Sequence, residues 1–170
     1  MSTEFIQKIL SENEIECSLE PSNRHPGGRV LVFFPSDHKQ RDRSLEITSR
    51  QQILGGKEED IPYYRIQFEA PLPFTVKEEC SQEIASFLFF LNRQLELPGF
   101  ELDEGNGYIL YRYVLLTPEN DIKLIVLKGI IGSILLILDL FGEGIEKVAA
   151  GETTFNEILE KILATVDALA

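Results

Sequence analysis

Residues 122–141 read IKLIVLKGIIGSILLILDLF, and fourteen of these twenty side chains are large and apolar. Such a stretch is typical of a membrane-spanning helix or of the central helix of a protein core. Its charge-free centre, residues 129–138, would span only about 15 Å of a hydrocarbon layer about 30 Å thick. We therefore predict a helix that continues to about residue 150 and lies in a protein core, without crossing a membrane.

Polar positions along this helix support the same interpretation. They recur at spacings of three, four and seven, and they are Lys128, Gly132, Asp139, Glu143 and Glu146. A narrow polar stripe on an apolar helix indicates a core helix with one edge at the surface. The flanking segments carry neither a one-sided excess of Lys and Arg nor aromatic residues at both ends. Apolar surface left over on this helix would be a candidate interface for a second subunit or a client protein.

Glycines within the predicted helix lead to two further expectations. Gly129 and Gly132 remove side chains, so we expect a neighbouring strand or helix to approach closely there. Gly142 and Gly144 are expected to bend the helix or to end its first half.

The segment just before this helix, FELDEGNGYILYRYVLL at residues 100–116, predicts a β-hairpin. Asn106-Gly107 is the preferred centre of a two-residue type I′ turn. Such a turn pairs Gly105 with Tyr108 and thereby sets the register of both strands.

In that register Glu101 faces Arg112, and we interpret the two as a structural ion pair. The second strand of the hairpin is apolar on both faces. Its second face should therefore be covered by a helix, a second subunit or a bound peptide.

Upstream of the hairpin, the periodicity of apolar residues changes several times. A period near 3.6 predicts helices over residues 3–14 and from about 75 to 97, and alternation or apolar runs predict strands over 15–20, 29–35, 45–54 and 63–70. The 29–35 strand is apolar enough to be covered on both faces. Candidate capping boxes start the second helix at Thr75–Glu78 and a last helix at Thr154–Glu157. The expected class is α+β, with an antiparallel sheet of about five or six strands packed against helices.

Composition restricts the classes of protein. The 170 residues suit one domain, and the formal charge of −12 disfavours binding to nucleic acid or anionic lipid. Cys17 and Cys80 are far apart in sequence and belong to no CxxC pattern, as expected of two thiols in a reducing compartment. The first sixteen residues lack the features of a secretory signal, so we expect a cytoplasmic protein.

Residues 21–50 depart from the acidic average, with six basic residues against three acidic ones. One interpretation is a patch that binds a small anion or an acidic partner. The alternative is a set of solvated loops and strand edges, where basic side chains also block unwanted strand pairing. The candidate anion-binding residues are Arg24, Arg29, Lys39, Arg41 and Arg43.

Catalytic motifs are missing from the sequence. The two histidines, His25 and His38, fall in polar loops outside any HExxH or Cys/His spacing, and no nucleophile elbow or phosphate-binding loop follows a strand. We therefore predict a protein that is not an enzyme, with no catalytic, cofactor-binding or metal-binding residues.

Three features together resemble a known family. They are FLNRQLELPGFELDEGNGYILYRYVLL at residues 90–116, the long apolar helix that follows, and LDLFGEGIEKVAAGE at residues 138–152. This pattern resembles the YbjN-like family, whose fold is similar to that of type III secretion chaperones. The resemblance covers residues 76–152, within a core of residues 1–152. Residues 153–170 would then be a C-terminal helical extension of the same single domain.

The resemblance implies an antiparallel sheet backed by helices and a role in binding proteins. Secretion chaperones of this fold are small, acidic and usually dimeric, and they hold an extended segment of a client. YbjN-like proteins are described as regulators, so the fold alone does not establish a chaperone activity. The resulting prediction is a chaperone-like or regulatory protein-binding module that forms a homodimer. The alternative is a sensor of an anionic small molecule that uses residues 21–50.

Overall fold

In a computed structural model, which describes residues 2–23, 25–54, 61–118 and 122–167, the chain is an α+β protein. The described residues form six strands and four helices, which confirms the predicted class. The helices are α1 (Thr3–Ser11), α2 (Ser81–Gln94), α3 (Leu124–Ala149) and α4 (Phe155–Asp167). The strands are β1 (Cys17–Glu20), β2 (Arg29–Phe34), β3 (Arg43–Leu54), β4 (Ile61–Thr75), β5 (Phe100–Asp103) and β6 (Tyr108–Pro118).

The strands form one antiparallel sheet in the order β1-β2-β3-β4-β6-β5. Alternate residues of the four inner strands point to the helices, and they are almost fully buried: Val30, Val32, Leu45, Ile47, Ile66, Phe68, Ile109 and Tyr111. Cross-strand partners such as Ile47 and Phe68 lie directly opposite each other, so the period of two in the sequence becomes one continuous apolar layer.

The other face of the sheet, called the open face below, is not covered by any of the four described helices. In β2 the burial alternates, so Phe33 is exposed although we expected both faces of this strand to be covered. In β6 the side chains of Tyr108 and Leu116 are likewise exposed on this face. An antiparallel sheet commonly packs one face on the core and leaves the other in water. The cover predicted for the second face of β6 is therefore absent from the described residues.

Helix α3 passes through the core and continues without interruption to Ala149, close to the predicted end. The end of the first half expected at Gly142 and Gly144 is wrong, because both lie inside the continuous helix. Gly144 faces α2, where a Cβ atom would lie at an ordinary contact distance, 3.8 Å from the ring of Phe87. The close contact expected at Gly129 and Gly132 is also wrong, since no described atom comes within 4 Å of a Cβ placed at either position.

The hairpin forms at the predicted place with a different turn. Asp103 pairs with Tyr108 around a loop of residues 104–107, so Arg112 lies two positions from the residue opposite Glu101. A type I′ turn needs a positive φ at both central residues, but here only Gly107 has one, at 67°. The backbone N–H of Gly107 donates to the carbonyl of Asp103 at 2.8 Å, and the Asp103 carboxylate accepts from the N–H of Gly105. This acidic side chain stabilises the longer loop.

One of the two predicted capping boxes is present. Thr154 and Glu157 exchange hydrogen bonds between side chain and backbone at the start of α4. The box predicted at Thr75–Glu78 is wrong, because β4 extends to Thr75 and α2 begins only at Ser81 after a short 3-10 turn.

Candidate functional site

The acidic side chain of Glu146 on α3 is surrounded by three side chains of the basic segment, His38, Lys39 and Arg41. Its carboxylate accepts from the Arg41 guanidinium at 2.7 and 2.9 Å and from Lys39 Nζ at 2.9 Å, and His38 Nε2 lies 3.8 Å away. The side chain of Glu146 is only 11% exposed. We predicted this glutamate at the solvent edge of the helix, and the structure instead buries it under the loop that precedes β3.

Asp37 holds that loop in place. It accepts from the backbone N–H groups of Lys39 and Arg41 and forms an ion pair with the Arg41 guanidinium at 2.6 Å. Burial raises the pKa of Asp37, but these hydrogen bonds outweigh it and lower the pKa to about 2. The hydrogen bonds from Arg41 likewise lower the pKa of Glu146, against the effect of its burial. Both carboxylates are therefore ionised at neutral pH, and they neutralise the cations around them.

The candidate anion-binding residues do not form one patch. Arg43 pairs with Asp139 of α3 at 2.7 Å, next to a cavity of about 150 Å³ that His38 and Arg41 also line. Arg29 lies on the open face of the sheet, where it pairs with Glu20 and Glu46. Arg24 lies outside the described residues. Each of the four described cations is thus already bound to a carboxylate, which leaves little positive charge for a ligand.

Glu101 and Arg112 do form an ion pair, at 2.9 Å, on the open face. Arg112 also contacts Glu69 of β4 at 3.0 Å, directly across the strand pair. The arginine therefore links three neighbouring strands. The shifted hairpin keeps this contact because a shift of two residues leaves each side chain on its face.

The outer side of α3 carries an exposed apolar strip that we call the helix-3 stripe. It consists of Ile125, Val126, Gly129, Gly132, Leu136 and Leu140. Ile125 is 74% exposed, Leu136 58% and Leu140 64%, and each is a large aliphatic residue. The spacing of three and four residues places these positions on one side of the helix. Sequence analysis expected leftover apolar surface on this helix but did not identify the residues.

Helix α3 is also long and apolar enough to cross a membrane by length and composition. The core helix of a protein passes the same test. Ten residues of α3 are buried, and Leu127, Ile134 and Ile145 are completely so. In this fold the inner side of the helix is therefore part of the core.

A second apolar surface lies between α2 and α4. Phe89 is exposed at the rim of a groove of about 500 Å³, whose other lining residues are Ala85, Ser86, Phe90, Arg93 and Phe155. Phe155 packs on the rings of Phe87 and Phe90, so α4 forms one wall of this groove.

The β5 edge of the sheet is closed by a side chain. Asn92 of α2 donates its Nδ2 to the carbonyl of Phe100 at 2.9 Å and accepts from the Phe100 N–H at 2.8 Å. Both backbone groups that an added strand would use at Phe100 are therefore occupied. Addition of a client strand to this edge of the sheet is therefore blocked at this residue.

Metal-binding groups do not cluster in the described parts of the chain, where no three His, Cys, Asp or Glu side chains come together as a site would require.

Comparison of the chain with protein-family models finds no match, and comparison with curated proteins finds no significant match either. The YbjN-like resemblance therefore depends on the quoted residues alone.

Proposed function

We propose that this protein is a non-enzymatic protein-binding module with a chaperone-like or regulatory role. The observation that carries the proposal is the helix-3 stripe. Large aliphatic side chains are exposed side by side on this helix, and burying them would be favourable by about 25 cal/mol per Å² of apolar surface. Contiguous surfaces of this kind commonly mark sites of association.

Charge supports the choice of a protein as the partner. The net charge of −12 opposes binding to nucleic acid and to anionic lipid. An exposed apolar surface on an acidic protein suits another protein with an apolar patch of its own. The proposal includes a cytoplasmic location, no attachment to a membrane, and the YbjN-like relationship with its expected homodimer.

A sensor of an anionic small molecule is the second candidate, and the cavity beside Arg41 and Arg43 favours it. Against it, Asp37, Asp139 and Glu146 already neutralise these guanidinium groups. An anionic ligand would have to displace a charge-assisted hydrogen bond before it gained one. Stabilisation of the chain by a phosphate- or carboxylate-bearing metabolite in a thermal-shift screen would favour the sensor.

The test of protein binding is affinity purification of the tagged chain from cells that naturally produce it, followed by mass spectrometry. Wild type is compared with Leu136→Lys on the stripe and with the control Leu116→Lys. Leu116 is 61% exposed, close to the 58% of Leu136, but it lies on the open face of the sheet.

A partner retained by Leu116→Lys and lost from Leu136→Lys is the expected result. A partner lost equally from both variants would contradict the assignment to the stripe. Recovery of no partner by wild type, together with a monomeric mass by light scattering, would contradict the binding function itself.

A further inference from the structure

The sizes of the residues along the helix-3 stripe suit packing against a second, antiparallel copy of the same stripe. Large side chains lie at its two ends, Ile125 and Leu140, and one large residue, Leu136, is balanced by the small Gly129. Positions 125 and 140, and positions 129 and 136, are equidistant from a centre between Gly132 and Ser133. When a second stripe is laid on the first in the opposite direction, Leu136 of each copy therefore meets the small Gly129 of the other, and Ile125 meets the other large end residue, Leu140.

Two charges at the border of the stripe lie almost symmetrically about this centre, since the midpoint of positions 128 and 139 is one residue further along the helix. Lys128 precedes the centre and Asp139 follows it, and eleven residues at 100° each place them within about 20° of one another around the helix. They thus lie along the same border, about 16 Å apart along the axis. Rotation about a two-fold axis perpendicular to the helix preserves the border and reverses the direction. Lys128 of one copy then lies beside the partner's Asp139, twice per dimer. Asp139 also pairs with Arg43 of its own chain at 2.7 Å, but its side chain is 53% exposed, so a second cation can reach it.

We propose that the occupant of the helix-3 stripe is a second copy of this chain, bound through an antiparallel α3–α3 contact centred on Gly132 and Ser133. In this dimer Leu136 packs over the partner's Gly129, and Ile125 packs beside the partner's Leu140. This inference rests on the proposed function and names the partner of the same surface.

Open space at the glycines fits such a contact. A Cβ atom at Gly129 or Gly132 would meet no described atom within 4 Å, so no contact among the described residues requires these small residues. Small residues on a helix let a second helix backbone approach closely. The glycines cost helix stability in the isolated chain, about 1 kcal/mol each relative to alanine. A second helix seated on them would offset that cost.

A parallel dimer uses the same residues less well. It would place Lys128 at the same height as the partner's Lys128, and Leu136 against the partner's Leu136. Gly129 would meet Gly129 and leave a gap at the interface. Two-fold contacts are self-complementary by symmetry, and only the antiparallel one matches both size and charge here.

The available area suits a modest interface. The four large side chains of the stripe expose on the order of 400 Å² per copy, against about 600 Å² per copy in the smallest specific interfaces. Glycine backbone and the aliphatic stem of Lys128 can supply the remainder. We therefore expect reversible association at micromolar protein concentrations.

The first test measures the mass of the full-length chain by sedimentation velocity over a range of concentrations. Gly132→Gln puts a bulky side chain at the centre of the contact, and Gly142→Gln is the matched control. Gly142 lies on the same helix with equally open space around its Cβ, but it borders the cavity beside Arg43.

Gly132→Gln should weaken dimerisation tenfold or more, while the control stays within twofold of wild type. Both variants should keep or raise the thermal midpoint of the monomer, because glutamine has the higher helix propensity. That result separates a lost contact from a lost fold. A wild-type dimer that is insensitive to Gly132→Gln would overturn the inference.

The second test reports the direction of the helices by disulfide trapping, with Cys17→Ser as background. Protein with Ile125→Cys is mixed with protein carrying Leu140→Cys, since a disulfide needs Cα atoms within about 7 Å. Cross-links should form between the two proteins and not within either one alone. Cross-linking of Ile125→Cys to itself would indicate the parallel dimer and contradict the proposal.

Two other outcomes name different occupants and overturn the inference. A wild-type chain that is monomeric up to about 100 μM, yet loses its copurified partner on Leu136→Lys, has a different protein on the stripe; the proposed function would then still stand. Co-sedimentation of the monomer with phosphatidylcholine vesicles, abolished by Leu136→Lys, would instead identify lipid as the occupant.

Discussion

The inner and outer sides of helix α3 both carry large aliphatic side chains, but these have opposite surroundings. On the inner side Leu127, Ile134 and Ile145 are completely buried against the sheet and α2. On the outer side Leu136 and Leu140 are more than half exposed. Burial stabilises an aliphatic side chain by about 1.5–3 kcal/mol relative to exposure, so the inner side contributes to the fold and the outer side does not.

The comparison teaches that an apolar residue on this helix has one of two roles. Inner residues determine the stability of the single chain, whereas outer residues should affect only association. The four predictions below test this division, beginning with the largest expected effect. All stabilities refer to a concentration at which the chain is monomeric, because dimerisation would add its own concentration-dependent term.

Ile134→Ala and Leu136→Ala form the sharpest pair, two residues apart on the same helix. Ile134→Ala should lower the free energy of unfolding by about 2–5 kcal/mol, since it leaves a cavity in a packed core. Leu136→Ala should change it by less than about 0.5 kcal/mol. Urea unfolding followed by circular dichroism measures both. Equal losses would show that the outer side is covered within the chain.

Glu146→Gln and Glu143→Gln apply the same comparison to carboxylates. Glu146 is 11% exposed and binds Arg41 and Lys39, whereas Glu143 is 57% exposed and binds only Lys147 among the described residues. Removing the charge of Glu146 leaves the Arg41 guanidinium incompletely paired and should cost about 2 kcal/mol. Glu143→Gln should not change the urea midpoint measurably. An unchanged free energy of unfolding in Glu146→Gln would mean that the ion cluster contributes nothing to stability.

Acid should weaken the contact between α3 and the loop that precedes β3. The folded state lowers the pKa of Asp37 from 3.8 to about 2, and it lowers the pKa of Glu146 from 4.5. Because both pKa values are lower in the folded state, their stabilisation is complete above about pH 5 and is lost as the pH falls towards 2. Urea midpoints between pH 7 and pH 2 should decline over this window. Glu146→Gln should show a smaller decline, and an identical pH profile would contradict the assignment.

Gly129→Ala should give the smallest effect, a gain of about 0.5–1 kcal/mol in the free energy of unfolding. Its Cβ meets no described atom within 4 Å, so only helix propensity changes. Gly151→Ala is the counterpart of opposite sign. Gly151 has a φ of 68°, and its Cβ would lie 3.1 Å from Cys80 Sγ. Thermal midpoints measure both variants, and a loss at Gly129 would show that a neighbour within the chain occupies the stripe.

Predictions from local sequence succeeded where the decisive contacts are local. The capping box at Thr154–Glu157 needs only residues three apart, and it forms. The similar pattern at Thr75–Glu78 does not form, because β4 extends to Thr75 and the Val76 N–H donates to the carbonyl of Gly107. The capping-box rule considers only four consecutive residues, so it cannot predict a hydrogen bond between residues 31 positions apart.

The hairpin shows an intermediate case. Its two strands and its turn were predicted from alternation and from Asn106-Gly107, but the register was wrong by two residues. The side chain of Asp103 decided the difference, by accepting hydrogen bonds from Gly105 and Asn106 inside the loop. The Glu101–Arg112 contact was nevertheless present, because a long arginine reaches a diagonal neighbour.

The candidate site was harder to predict than the fold. The basic residues of segment 21–50 were identified correctly as a cluster in sequence, but Arg29 and Arg43 lie on opposite faces of the sheet. Asp37 binds Arg41 from only four positions away, but the other carboxylates that neutralise Arg41 and Arg43 come from α3, about 100 positions later in the chain. No spacing rule connects residues at that separation.

By itself, the sequence determined the α+β class and the approximate extent of most elements. These follow from periods of 2 and 3.6, which are properties of neighbouring residues. Only the tertiary structure decided how far the exposed side of α3 extends beyond the polar edge at Lys128, Asp139 and Glu143, because the residues beside that edge are as apolar as those of the core. It also decided that Glu146 is buried and the outer leucines are exposed, since burial depends on which distant elements pack against each position.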